Sequence, residues 1–459
     1  MKKILIAILL LSSAGKILGG GERTNLQGMG MARTSTAVAR GIDAIGINPA
    51  NLGYPDKGTV TFNIINFGTH IGTDFLDFGL YNKYFTGNDT GGAIYLTDRD
   101  KHRILEAFPS GVAHTGFDFE IKLFSVSFQI ERIGGFALSA IERAGFNLKI
   151  PQDYVEFILY GNPIGRRFDF SQTYFNALWF REYALSYGRQ IPHFNFLKSM
   201  TAGFTVKLIH GYGAAYVSHN DSYFTTDANA VLSYQVDVQT KAAGIDMFAE
   251  DTAKQNYSPF PRPAGTGWGF DLGVSGFVID ELSFGVALVD IGSINWNNNA
   301  REITCYSTYT IDDPFAGNQL DTLENAVKTE SKKISGFSTT LPTALRLGVA
   351  YQFNKSPLVG KNFPGELLFA FDYHQGFNNA AGNTTVPRFS LGAEYKPWKW
   401  LPIRTGVSVG GSDRLNMGFG FGFLLGFLDI EFASENFDAV FAPNSFNRFS
   451  FAFGMKLRI

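Results

Sequence analysis

The chain has 459 residues, of which 17% are charged and 15% aromatic, with 45 Phe and 51 Gly. Soluble domains carry roughly 25% charged residues, so this composition argues against an ordinary soluble enzyme. The formal net charge of −2 excludes the basic footprint of a nucleic-acid-binding protein. The single cysteine, Cys305, cannot form an intrachain disulfide and argues against a zinc site or a redox pair.

The first 20 residues have the pattern of a bacterial secretory signal peptide. Lys2 and Lys3 form the positive start, residues 4–11 form a short apolar core, and residues 12–14 are small enough for cleavage. The apolar core is too short to span a bilayer. We therefore predict that residues 1–20 are a signal peptide and that the mature protein is exported.

A non-alternating segment follows, and we predict that residues 21–58 form a unit separate from the rest of the chain. A short helix is expected over residues 31–40, ended by Gly41. Asn48-Pro49-Ala50 is expected to form a rigid turn, because proline fixes its own φ and restricts the residue before it.

From residue 59 to the end, apolar residues alternate with small or charged ones. The pattern is clear in residues 117–123, 202–208, 232–239, 268–275, 345–353, 389–396, 403–410 and 417–423. Side chains alternate across a strand, and a long series with the charges on one parity is typical of transmembrane barrels. Lipid forces such a sheet to close. We predict an all-β fold, an antiparallel up-and-down barrel of about 14 strands over residues 59–459.

The last eleven residues show the pattern most clearly. Phe449, Phe451 and Phe453 begin a series of alternate apolar residues, and we expect this face of the strand to contact lipid. Lys456 and Arg458 lie on the opposite face. This segment ends the sequence, so we predict that it pairs with the first strand, near residues 59–67.

In these strands, charged residues occur among the alternate residues expected to face the inside of the barrel. We take them as candidate lumen residues. If they are paired, they brace whatever fills the barrel; if they are unpaired, they line a polar route. Arg181 instead shares the apolar parity of its segment, which indicates either a bulge or a position near the lipid headgroups. The candidate lumen-facing residues are Lys207, Asp271, Arg346, Asp372, Glu394 and Arg404.

No motif for catalysis, metal binding or a cofactor stands out. The seven histidines are scattered and form no His-Glu-x-x-His. The run of alternating glycines at residues 418–422 lacks the Lys-Ser/Thr ending of a phosphate loop. We therefore expect no enzyme activity, no cofactor and no metal site.

The N-terminal segment resembles the start of the FadL-like superfamily of outer-membrane barrels. The resemblance rests on Asp43-Ala44 and Asn48-Pro49-Ala50, with looser matches at residues 341–348. Residues 288–293 resemble the PorV-like branch. The resemblance implies that residues 21–58 fold inside the barrel as a hatch, with Asp43, Asn48, Pro49 and Ala50 as hatch residues. It also implies a bacterial outer-membrane location, with outer-membrane lipids as partners. The ending Gly454-x-x-Leu457-x-Ile459 resembles the C-terminal signal read by the bacterial barrel-assembly machinery, which we expect as a further partner.

Two functions follow from this resemblance. In classical members the hatch gates the diffusion of long-chain fatty acids or aromatic hydrocarbons, which implies a hydrophobic ligand. In the PorV-like branch the barrel does not transport and serves protein secretion or cargo handling, which implies secretion-system partners. A third interpretation, a soluble secreted β-protein, predicts no heat-modifiable migration on gels.

Overall fold

A computed structural model describes residues 23–56, 58–87, 94–192, 194–244, 261–311, 328–357, 359, 363–411 and 415–459. The predicted signal peptide lies outside these ranges. In this part of the chain, no helix has the length and apolar character needed to cross a bilayer. The α-helices are α1 (Leu26–Gly30), α2 (Phe78–Tyr84), α3 (Asp98–Glu106) and α4 (Gln152–Tyr160).

The described residues contribute twenty strands to one sheet. They are β1 (Val60–Thr73), β2 (Val112–Ile130), β3 (Gly134–Pro151), β4 (Arg167–Asp169), β5 (Tyr174–Ile191), β6 (Ser199–Asn220), β7 (Tyr223–Thr226), β8 (Leu232–Ala243), β9 (Gly265–Phe277), β10 (Leu282–Trp296), β11 (Arg301–Ile311), β12 (Lys328–Lys333), β13 (Phe337–Thr340), β14 (Ala344–Gln352), β15 (Glu366–Gly376), β16 (Arg388–Lys396), β17 (Ile403–Gly410), β18 (Leu415–Leu424), β19 (Leu428–Ser434) and β20 (Arg448–Arg458).

Within the described residues, 14 strands close into an antiparallel barrel, which confirms the predicted fold. The order is β1, β2, β3, β5, β6, β9, β10, β14, β15, β16, β17, β18, β19 and β20. The last strand pairs with the first, with Phe453 opposite Phe67 and Ser450 opposite His70. Closure leaves no long unpaired edge in the wall.

The other strands lie beyond one end of the barrel. There β8 pairs with the final part of β6, where Ala214 is opposite Ala243, and with β11. Residues 232–239 were expected in the wall because they alternate, but the structure places them in this extension. Alternation indicates a strand with two different faces and does not indicate which sheet the strand joins.

The two ends of the barrel differ in their connections. Short turns at residues 131–133, 278–281 and 397–402 lie at the end that also carries the C-terminus, called the turn end here. Long connections carrying α2, α3 and α4 lie at the other, the loop end. Thr97 and Asp100 form a capping box at the start of α3, as expected from a Thr-x-x-Asp sequence.

The predicted helix over residues 31–40 is wrong. The helix in this region is α1, which begins after Asn25, whose side chain accepts a hydrogen bond from the Gly28 N–H. Ala32 and Arg33 have φ values of 51° and 76°. Consecutive left-handed residues end a right-handed helix, so the chain continues as turns.

The outward face of the wall is apolar. Trp268 is 58% exposed and Leu391 is 55% exposed, whereas their inward neighbours, such as Asp271 and Ser390, are buried. Aromatic rings form bands around this face: Phe128 stacks on Phe136 toward the turn end, and Phe117 on Phe146 toward the loop end. Such bands are typical of barrels at the two membrane interfaces.

Arg181 is the exception to the apolar outward face. The strand register shifts between Trp179 and Phe180, so a bulge lies next to it. Its guanidinium contacts the Glu142 carboxylate at 2.5 Å, and the Trp179 indole N–H donates to the same carboxylate at 2.7 Å. The charge is therefore paired and covered by aromatic side chains.

Candidate functional site: the plugged lumen

The hatch, of which the structure describes residues 23–56, lies inside the barrel. It consists of α1 and two 3-10 turns, Gly41–Ala44 and Pro49–Gly53, joined by irregular backbone. Almost all of its residues are buried, including Met31, Asn48 and Leu52. The inward face of the wall is therefore covered by protein.

Glycines on the inward face of the wall make room for the hatch backbone. A Cβ added at Gly203 would lie 2.4 Å from the Pro49 carbonyl carbon, and one at Gly188 would lie 2.4 Å from the Pro49 oxygen. A Cβ at Gly273 would lie 2.0 Å from Asn48 Oδ1. These distances are shorter than van der Waals contact, so the glycines form a seat for the hatch.

The Asn-Pro-Ala turn is held by its asparagines. Asn48 Oδ1 accepts a hydrogen bond from the Ala50 N–H at 3.1 Å, while Asn48 Nδ2 donates to Ser275 Oγ at 2.9 Å. The Ser275 hydroxyl in turn donates to Asn51 Oδ1 at 2.7 Å. Pro49 and Ala50 begin the buried 3-10 turn. The motif therefore fixes the hatch against β9.

A central ion cluster lies between the hatch and the wall. Arg23 of the hatch contacts Glu182 at 2.5 Å and Asp290 at 2.7 Å. Asp290 also accepts from Lys207 at 2.5 Å and from Arg143 at 3.0 Å. The members, all buried, are Arg23, Glu120, Arg143, Glu182, Lys207, Asp271 and Asp290.

A bulge places Asp290 in this cluster. The register between β9 and β10 shifts between Leu288 and Ile291. Asp290 itself adopts a φ of 54°, a conformation that Asp tolerates better than most residues. Its backbone N–H donates to Asp271 Oδ1 at 2.7 Å. Val289 and Asp290 are both buried, so the usual alternation is broken here.

A second ion cluster lies toward the turn end. Lys456 contacts Asp43 of the hatch and Glu431 of β19, both at 2.6 Å. Arg404 contacts Glu431 and Glu394, also at 2.6 Å. Because Glu431 contacts both cations, the hatch and four wall strands, β16, β17, β19 and β20, share one network.

Further contacts of the hatch lie at mid-height and toward the loop end. Asp372 Oδ2 accepts from the backbone N–H groups of Ser35 and Thr36 at 3.0 and 2.9 Å, and from Thr36 Oγ1 at 2.6 Å. Arg33 forms an ion pair with Glu435. Arg346 lies on β14 opposite His374 and is buried.

Above the central ion cluster, toward the loop end, inward side chains of β5, β6 and β10 form an apolar group. Phe180, Ile209 and Trp296 are fully buried and pack together with Leu178 and Leu341. This group is called the upper apolar cluster below. The Trp296 indole N–H donates to Thr339 Oγ1 at 2.9 Å, so its one polar atom is satisfied.

The candidate residues Lys207, Asp271, Arg346, Asp372, Glu394 and Arg404 are all buried, and some of them contact one another. Lys207 contacts Asp271 at 2.7 Å, Glu394 contacts Arg404, and Asp372 holds the hatch directly. Asp43, Asn48, Pro49 and Ala50 are all in the described hatch. Sequence reasoning missed several partners of these residues, which are Arg23, Arg143, Glu182, Asp290 and Glu431. Asp290 carried a signal, since it breaks the parity of its strand.

The chain matches one family model over residues 49–434, described as "Family of unknown function (DUF5723)". No curated protein matches the chain. Among solved structures, it is similar to the Ralstonia pickettii toluene transporter TbuX, with 12% identity, a TM-score of 0.49, and coverage of 96% of this chain and 99% of that chain.

It is also similar to a Pseudomonas aeruginosa FadL homologue, with 14% identity, a TM-score of 0.44, and coverage of 96% and 98%. It is similar as well to the P. putida toluene transporter TodX, with 11% identity, a TM-score of 0.43, and coverage of 96% of this chain and 97% of that chain. Because the family match covers most of the chain, the protein belongs to the DUF5723 family.

Proposed function

We propose that this protein is an outer-membrane barrel that lets small hydrophobic molecules pass through a lumen closed by the hatch. The turn end would face the periplasm and the loop end the cell exterior, which is the usual orientation of such barrels. In this proposal residues 1–20 direct export, residues 21–58 are the hatch and residues 59–459 are the barrel.

The observation that carries the proposal is the upper apolar cluster. Channels for polar solutes have a polar interior, but here Phe180, Ile209 and Trp296 point inward at the loop end of the lumen. Apolar side chains at this level suit a solute without charge or strong hydrogen-bonding groups. The outward apolar face supports the membrane location.

The hatch is the barrier on this route. It contacts the wall at the glycine seat and at two ion clusters, and in this proposal it blocks the lumen while it stays in place. Passage therefore requires the hatch, or part of it, to move.

A reversible tether tests this requirement. The Cβ of Thr24 lies 3.2 Å from an ideal Cβ at Gly68 on β1, close to the 3.5–4.5 Å typical of a disulfide (about 3.8 Å on average). We expect Thr24→Cys/Gly68→Cys, in a Cys305→Ser background, to lose uptake when oxidised and regain it when reduced. The measurement is the fluorescence rise of N-phenyl-1-naphthylamine in intact cells producing the protein.

The matched control is a disulfide that leaves the hatch free. Leu391 and Val407 are directly paired across β16 and β17 on the outward face, and Leu391→Cys/Val407→Cys should leave uptake unchanged when oxidised. Equal uptake by the oxidised and reduced hatch tether would contradict hatch gating. Uptake no faster than in cells lacking the protein would contradict transport itself.

A second function, a non-transporting barrel in secretion or cargo handling, is favoured by one observation. The strands beyond the loop end extend the wall of β6 outward as a sheet through β8, β11 and the fully exposed β12. A projecting sheet offers a platform for a protein partner. Recovery of secretion-system subunits with the purified barrel, together with absent uptake, would favour this function.

A further inference from the structure

A connection at the loop end folds into the mouth of the barrel, on the loop-end side of the hatch. Residues 377–387 join β15 to β16 and are called the lid here. Near its own side of the wall, Asn378 Nδ2 donates to the Leu341 carbonyl at 2.8 Å. Asn383 Nδ2 donates to the Thr343 carbonyl at 3.2 Å and to Asn378 Oδ1 at 3.0 Å.

The lid then reaches the far wall. Asn147 on β3 donates through Nδ2 to the carbonyls of Ala380 and Asn383, both at 3.0 Å, and accepts from the Gly382 N–H at 3.3 Å. Five strands, β5, β6, β9, β10 and β14, separate β3 from β15 in the barrel order. The lid therefore crosses the mouth of the barrel.

The tip of the lid occupies the upper apolar cluster. Ala381 is 0% exposed and packs in the same buried group as Phe180, Ile209 and Trp296. Ala380 beside it is also buried. The lid thus presents methyl groups, with no charge, to an apolar surface of the lumen.

We propose that the upper apolar cluster is a binding site for a small, uncharged apolar molecule, and that the lid tip fills this site when the molecule is absent. The proposal rests on the proposed function, since it names where a conducted molecule first binds. The ligand enters by displacing Ala380 and Ala381, and the lid lifts from Asn147.

The chemistry of the site sets the ligand class. Its walls are aromatic and aliphatic, and the Trp296 N–H already has a partner in Thr339. The charges of the central ion cluster below are engaged with one another. A carboxylate or ammonium would be buried here without a partner, which is strongly unfavourable, so the site selects uncharged molecules.

The contacts of the lid suit displacement. The bonds from Asn378, Asn383 and Asn147 that hold it to both walls are neutral amide bonds, and water can replace each of them when the lid lifts. An open cleft, lined by Lys149, Gln172, Tyr174 and Asn379, lies where the lid meets the outer loops. This cleft leaves the edge of the lid at Asn379 accessible from outside.

Labelling of the tip tests the proposal. In Cys305→Ser/Ala381→Cys, a water-soluble maleimide should react slowly in intact cells because position 381 is buried. N-phenyl-1-naphthylamine at about ten times its dissociation constant should raise the labelling rate about tenfold, the factor by which a competing ligand shifts the equilibrium. A rate that the probe does not change would overturn the proposal.

Two further variants sharpen the result. Asn147→Leu removes the bonds to the far wall, so the thiol introduced at position 381 should react quickly without the probe. Ala452→Cys places a thiol at another fully buried lumen position, under the hatch, where the probe should have no effect. Equal probe-induced labelling at both positions would mean that the whole barrel opens and would overturn the lid. Heat-modifiable migration confirms that each variant is folded.

The two proposals fail in distinguishable ways. Uptake of N-phenyl-1-naphthylamine with no change in labelling at position 381 overturns the lid site and leaves the proposed function standing. Probe-dependent labelling without uptake supports the site and contradicts transport. If neither occurs, both proposals are wrong.

Discussion

The hatch and the proposed lid both lie within the lumen, but they are built with different chemistry. Arg23 and Asp43 tie the hatch to the wall through buried ion pairs, and its backbone sits on glycines. Asn378 and Asn383 tie the lid to the wall through neutral amide bonds. Hydrogen bonds to charged groups contribute about 1.5–3 kcal/mol each and neutral ones about 0.5–1.5 kcal/mol.

This difference predicts an order of opening. Removing the hatch from its seat exposes or isolates several buried charges at once, whereas lifting the lid exchanges amide bonds for bonds to water. We therefore expect the lid to open often and the hatch rarely. Charge would thus stabilise the closure that opens rarely, and amides the one that opens often.

The largest expected effect comes from the central ion cluster. Asp290→Asn should destabilise the folded barrel by about 3–5 kcal/mol, because Arg23, Arg143 and Lys207 lose a shared buried partner. Asn tolerates the left-handed φ of this position, so the bulge can persist. The free energy of unfolding is measured by urea titration in lipid vesicles, read out as heat-modifiable migration.

The matched control changes the same residue type where it is exposed. The Asp280 side chain is 64% exposed and pairs with Lys198 at a turn, so Asp280→Asn should cost less than about 1 kcal/mol. Similar losses for the two variants would mean that the central ion cluster does not hold the hatch.

An intermediate effect is expected at the glycine seat. Gly273→Ala places a Cβ 2.0 Å from Asn48 Oδ1, so the Asn-Pro-Ala turn must shift. Overpacking of this kind costs about 1–3 kcal/mol. The displaced hatch should also let small polar solutes leak, which liposome swelling measures.

Gly116→Ala is the control for the seat. The nearest atom to its Cβ would be Asn147 Oδ1 at 3.7 Å, an ordinary contact, so neither stability nor leakage should change. If the Gly273→Ala variant leaks no more solute and is no less stable than this control, the role of the glycine in seating the hatch is contradicted.

The sequence predicted which residues face the lumen because side-chain direction is a local property of a strand. Lys207, Asp271 and Glu394 lie inside as their parity requires. The partners were not predictable, because they depend on strand register and on bulges. Asp290 is the clearest case: a bulge in β10 turns it toward cations on three other segments.

The N-terminal segment shows the same limit. Its place inside the barrel followed from the family resemblance, and the glycines of the inward parity were consistent with it. Its helix was misplaced because the left-handed φ of Ala32 and Arg33 leaves no mark in the sequence, where both are good helix formers. The lid was not predicted at all, since residues 377–387 have the composition of any polar loop.

The smallest effect on stability is expected at the lid. The Tyr174 hydroxyl donates to the Asn379 carbonyl at 3.3 Å and accepts from Asn176 Nδ2 at 3.0 Å. Tyr174→Phe keeps the ring and should cost about 0.5–1.5 kcal/mol at most. Because those bonds hold the lid locally, amide hydrogen exchange in residues 377–387 should nevertheless become faster, while exchange in the hatch should not.

Tyr395→Phe removes a comparable bond, from its hydroxyl to the Pro364 carbonyl at 3.1 Å, at the turn end and away from the lid. It should leave exchange in residues 377–387 unchanged. If Tyr174→Phe accelerates exchange in the hatch as much as in the lid, the two closures move as one cooperative unit. The distinction between a charge-held plug and an amide-held lid would then be wrong.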